Sequence, residues 1–154
     1  MANTIIGTNK PRCQEGPSMT LALGGIWIAA RDGDDRARGL FSRHYSHRRY
    51  RDGRHPMAFV GPGEKMVLLT PACDALFIWR RFIEIGQQEP SGVNCAVFRN
   101  ESPVLSSELI REASRMAWAR WPGERLYTYV NPRRIRSTNP GWCFIQAGWT
   151  RLEG

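Results

Sequence analysis

The chain has 154 residues, 42% of them hydrophobic and 23% charged, the size and make-up of one folded domain; a disordered or fibrous chain is excluded. No run approaches eighteen apolar residues and the start lacks a secretory-signal pattern, so no membrane span is expected and a cytoplasmic setting is. Twenty-two basic residues face fourteen acidic ones, a net charge of +8; all but Lys10 and Lys65 are arginine, which suits an acidic polymer, nucleic acid first. GC-rich coding also favours arginine over lysine, but it does not account for the net charge.

Residues 1–18 are polar and broken by proline and glycine; they read as a loose arm or an extended entry segment, with residues 19–154 as the domain proper. Residues 21–30 read as a first strand, with Trp27 on the face opposite Ile26 and Ile28. The run Asp32-Gly33-Asp34-Asp35 supplies a turn and an N-cap, which predicts a helix over 35–42. A basic loop follows, with Arg43, His44, Tyr45, His47, Arg48, Arg49, Arg51, Arg54 and His55, and it holds every histidine of the chain. Next come a hairpin of residues 57–60 and 65–70 around Gly61-Pro62-Gly63, and a strand over 74–83. An apolar strand over 93–99 reads as a buried central strand. The clearest helix is 105–121: Leu105, Leu109, Ala113, Met116 and Ala117 form one stripe, with Ser106 and Ser107 at its start. A strand over 126–130, a helix over 139–147 and a last strand over 149–153 complete the order. This order predicts an α/β or α+β fold with a mixed sheet and two crossovers. The G-x-G-x-x-G fingerprint of a dinucleotide fold is absent. The cysteines Cys13, Cys73, Cys95 and Cys143 make no C-x-x-C pair, which excludes a zinc ribbon, and a disulfide framework is not expected; Cys73 and Cys95 read as small core residues.

From Val93 to the end the element order is similar to the GNAT acyltransferase fold, a single domain with a splayed mixed sheet flanked by helices. More specifically, His44-Tyr45-Ser46 and the stretch from Tyr127-Thr128-Tyr129-Val130-Asn131-Pro132 to Asn139-Pro140-Gly141-Trp142-Cys143-Phe144 resemble bacteriophage GNAT-like proteins of the Mom kind, which modify bases in phage DNA. The resemblance implies acetyl-CoA or another acyl-CoA as donor, an amino group on a standard or hypermodified nucleobase as acceptor, and DNA as partner. Two departures stand out. The segment Arg99-Asn100-Glu101-Ser102-Pro103 has no glycine where the family binds pyrophosphate, and Phe144 stands where many members carry a proton-donating tyrosine.

On this reading His44 accepts a proton, Tyr45 contacts or stacks on the base, and Ser107 and Asn131 complete the catalytic set. Arg99, Ser106, Ser107, Arg133, Arg134 and Trp142 are placed on the donor side; Arg43, His47, Arg48, Arg49, Arg51, Arg54 and Arg136 are placed against DNA. Each has a plainer reading: helix capping for the serines, turn chemistry for Asn131, a solvated basic run for the arginines. A histidine metal site is not expected, for want of a carboxylate or cysteine nearby other than Asp52. Two other functions stay open: a catalytically silent arginine-rich nucleic-acid-binding domain, and an N-acetyltransferase of small-molecule amines.

Overall fold

The computed structural model describes residues 4–8, 25–44, 63–81, 92–133 and 140–152. In chain order its elements are β1 (Thr4–Gly7), β2 (Ile28–Ala30), α1 (Asp35–Ser42), β3 (Glu64–Leu69), β4 (Ala75–Arg81), β5 (Val93–Asn100), α2 (Ser106–Arg120), β6 (Leu126–Val130), α3 (Trp142–Gln146) and β7 (Thr150–Leu152). The strands form one seven-stranded sheet in the order β2-β3-β4-β5-β6-β1-β7. Every neighbouring pair is antiparallel except β5 and β6, which run parallel. The described residues therefore form a mixed α+β domain, as the element order predicts. No described helix is long and apolar enough to cross a membrane.

The sheet separates two apolar clusters. Ala37 and Leu40 of α1 pack on Val67, Leu69, Leu76, Ile78 and Val97. On the other face Leu109, Ile110, Ala113 and Ala117 of α2, with Phe144 of α3, pack on Phe77, Trp79, Val93 and Cys95. β4 is buried on both faces from Ala75 to Trp79, which is why its sequence shows no polar alternation. Trp79 ties sheet to helix: its Nε1 donates to the Ala113 carbonyl at 3.0 Å. Trp27 does the same toward Leu109 at 2.9 Å, which fixes it on the buried side, with Ile28 exposed.

Local chemistry sets the helix starts differently. At α1 the Asp34 carboxylate accepts from the Arg36 backbone N–H at 2.9 Å, the cap that its sequence predicts. At α2 the N-cap residue is Leu105, whose side chain is 66% exposed and gives no capping bond. Leu105 is therefore outside the core stripe to which its spacing assigns it, because the helical twist begins one residue later. Neither Ser106 nor Ser107 is the cap.

Three further expectations change. Thr4–Gly7 is not part of a loose arm: β1 lies inside the sheet, paired with β6 on one side and β7 on the other, and Ile6 is fully buried. Cys73 is not a core residue; it sits in the turn between β3 and β4 with φ 58°, whereas Cys95 is buried as expected. β5 is central in the sheet as expected but not buried throughout; buried Val93, Cys95 and Val97 alternate with half-buried neighbours. Residues 57–60 of the expected hairpin lie outside the described residues, and β3 pairs with β2 and β4.

β5 also carries an irregularity. Ile78 faces Val97 but Trp79 faces Cys95, so Ala96 is an extra residue on β5. The bulge reverses the strand's two faces: Cys95 belongs to the α2 cluster and Val97 to the α1 cluster. Pairing with β6 runs only from Val93–Leu126 to Cys95–Thr128 and stops where the bulge begins.

Candidate active site at the carboxyl end of the parallel strands

Where two parallel neighbours part, their carboxyl ends frame a crevice, the usual ligand position in sheets that contain parallel strands. Here β5 continues from Ala96 to Asn100 beyond its last pairing with β6 at Cys95–Thr128, and β6 runs on to Val130, with Asn131 just after it. The Thr128 hydroxyl closes the last rung by donating to the Cys95 carbonyl at 3.1 Å.

The loop from β5 into α2 is built by one side chain. Asn100 donates its amide to the Val104 carbonyl at 2.8 Å and to the Ser106 hydroxyl at 2.9 Å. Its carbonyl oxygen accepts from the Ser102 backbone N–H at 2.9 Å and the Ser102 hydroxyl at 2.6 Å. This brings the first turn of α2, with Ser106 and Ser107, next to the end of β5. Ser106 is thereby committed to the loop.

On the α1 side of the same strand end lies a charged cluster that includes Arg43, His44 and Arg99. The Arg43 guanidinium grips Glu101 with two bonds, Nε to Oε2 at 2.7 Å and Nη2 to Oε1 at 2.9 Å. Arg99 Nε shares Glu101 Oε2 at 2.9 Å, and its Nη1 donates to the Arg43 carbonyl at 3.2 Å. The two arginines pull the Glu101 carboxyl below its ordinary range. His44 ends the α1 segment, its backbone N–H on the Phe41 carbonyl at 3.0 Å. Burial, and then the nearby Arg99 charge, lower its pKa to about 4, so the imidazole is neutral at pH 7.

The remaining expected residues are distributed unevenly. Asn131 follows β6 at the same end, but its side-chain oxygen accepts from the Arg133 backbone N–H at 3.0 Å, which is turn chemistry. Arg133 is exposed beyond it. Trp142, at the start of α3, is 53% exposed, unlike Trp27, Trp79, Trp121 and Trp149, which are buried. Phe144 is a core residue, its ring between Phe98 at 5.9 Å and Trp149 at 4.8 Å. Tyr127 is fully buried, edge-on to Tyr129. Tyr45, His47, Arg48, Arg49, Arg51, Arg54, Arg134 and Arg136 lie outside the described residues. Arg43, expected against DNA, and Arg99, expected on the donor, both bond Glu101. Glu101 is not among the residues that sequence reasoning singles out; the available signal is a lone acid two residues after an arginine at the end of a central strand.

Among the described residues no group of three histidine, cysteine or acidic side chains is placed to hold a metal. Comparison with protein-family models, with curated proteins and with solved structures finds no match.

Proposed function

We propose that the chain is a GNAT-like N-acyltransferase acting on an amino group of a nucleobase in DNA, with an acyl-CoA as donor. The observation that carries this reading is the parting of β5 and β6 after Cys95, with neutral His44 on one side of the strand end and the start of α2 on the other. Such a gap suits an extended acyl-bearing arm, because the edge of β5 from Ala96 onward offers backbone donors and acceptors. Ser107 and the first turn of α2, exposed Arg133 and exposed Trp142 are the groups suited to hold the donor. When bound, the donor would supply the activated thioester carbonyl.

The lowered basicity of His44 favours one class of acceptor. An alkylammonium, with a pKa of about 10, must lose a proton before it attacks, and a base of pKa about 4 removes it poorly. An exocyclic nucleobase amine is already neutral. It becomes acidic only once its nitrogen has bonded to the carbonyl carbon, and a weak neutral base then suffices. His44 thus serves as acceptor for the proton released as the N–C bond forms; the thioester C–S bond would break, and the coenzyme would leave as its thiol, taking up the proton that the amine loses. The base must leave the stack to reach such a crevice, and Trp142 offers a surface on which to stack it.

The test is mass spectrometry of nucleosides from DNA incubated with the protein and acetyl-CoA. A base heavier by one acyl group supports the reading; an unmodified digest alongside tight DNA binding supports a silent binding domain instead. Phe144, buried at the place of the family's proton donor, is the observation that favours that second reading.

A further inference from the structure

Two guanidinium groups converge on one carboxylate at the carboxyl end of β5, and all three side chains are partly open to solvent, Arg43 at 52%, Arg99 at 38% and Glu101 at 31%. A carboxylate held by paired arginine forks is the nearest protein equivalent of a bound phosphate. Taken alone, the trio keeps one positive charge in surplus.

We propose that Arg43 and Arg99 form a binding pair for a backbone phosphate of a nucleic acid, and that Glu101 is a built-in competitor which the phosphate displaces. The parts are held separately enough for an exchange. Glu101 is anchored through its backbone N–H on the Asp74 carbonyl at 2.7 Å, so its side chain can swing away without moving the strand. Arg99 stays tied to the Arg43 carbonyl by its Nη1, so the two arginines remain side by side when the carboxylate leaves. A nucleic-acid source is favoured over a small phosphate ester by the net charge of +8, which draws a polyanion to a surplus cation. The competitor lowers affinity for phosphate in general and so sharpens the requirement that other contacts form at the same time.

The proposal concerns binding and needs no acyl transfer, so its failure leaves the mass-spectrometric test above untouched. The experiment is fluorescence anisotropy of a labelled duplex oligonucleotide over a series of salt concentrations, with Glu101→Gln against the wild-type protein. Glu101→Gln is expected to bind roughly tenfold tighter near 0.1 M salt, with a log–log salt slope steeper by roughly one. Glu124→Gln controls for simple loss of a negative charge, because it relaxes Arg81 at the opposite end of the same strands. The double variant Glu101→Gln/Arg43→Gln should return to wild-type affinity or below. Unfolding midpoints measured in parallel establish that each variant is folded. Equal affinity of Glu101→Gln and wild type, or equal tightening by Glu124→Gln, overturns the proposal. Tightening toward coenzyme A without tightening toward the oligonucleotide overturns the assignment to a nucleic-acid backbone.

Discussion

Where the parallel strands begin, one arginine lies between two carboxylates: Arg81 reaches Glu124 at 3.3 Å and Glu64 at 3.7 Å. Where they end, one carboxylate lies between two arginines, Glu101 with Arg43 at 2.7 Å and with Arg99 at 2.9 Å. The first cluster is finished by protein: Trp121, buried, donates its Nε1 to Glu64. At the second, among the described residues, the bonds to the Glu101 carboxylate come from the two arginines, and beside it the β5–β6 ladder has already stopped. Half-exposed ion pairs add little to stability in either place. The difference therefore concerns the field that each end presents. The sheet thus inverts its ion-pair ratio from one end to the other, and this contrast is what the proposed phosphate site rests on.

The largest effect that separates the two ends should come from His44. His44→Ala is expected to lower turnover on DNA by about two to four orders of magnitude, with oligonucleotide affinity nearly unchanged; full activity would remove it from the chemistry. The same residue has a pH signature. Its folded pKa is depressed to about 4 from the usual 6.5, so below 6.5 the unfolded chain takes up the proton first. Its contribution to stability is complete above pH 6.5 and is lost as pH falls through 4. An NMR titration of its ring should show a midpoint near 4, and Arg99→Gln should raise it.

Next in size is Gly141→Ala, between β6 and α3. Gly141 has φ 82°, and a Cβ there would meet the Cδ1 of buried Ile6. The left-handed backbone and the overpacked contact together should cost about 2–4 kcal/mol in urea unfolding; a loss below half of that would show that Ile6 gives way freely. Smaller and opposite in sign is Leu105→Ser. A hydroxyl at this uncapped start of α2 should add about 1 kcal/mol of stability. The smallest effects belong to the ion pairs. Glu64→Gln and Glu101→Gln should each change stability by less than about 1 kcal/mol, even though only the second is expected to alter DNA binding.

The parts of the fold that were legible in the sequence are those written locally. Asp34 before an eight-residue helix, the β-branched and aromatic run of β6 and the apolar stripe of α2 each signal themselves within a turn or two. β1 was illegible because a four-residue strand has too little pattern and its partners are distant in sequence. The Ala96 bulge was equally silent, since an extra alanine in an apolar run alters nothing but register. At the site, His44 and Arg99 were named from their chemistry, and the structure brings them together. Their shared partner Glu101 was missed because an acid reads as loop solvation until two arginines are seen to converge on it. Asn131 was named for a role that its turn bond to Arg133 takes up in part.

The position of β1 has a consequence for how the chain is made. Thr8, just past this strand, hydrogen-bonds Leu126 across 118 positions of sequence, and Thr150 reaches back to Gly7 across 143. During synthesis at about 5–20 residues per second, β1 waits on the order of ten seconds for β6 and β7. Through that interval Ile5 and Ile6 have no sheet to enter, and the half of the sheet around β6 cannot close. β1, translated well before its partners, is therefore among the last strands to find its place, as expected where folding must close a long loop.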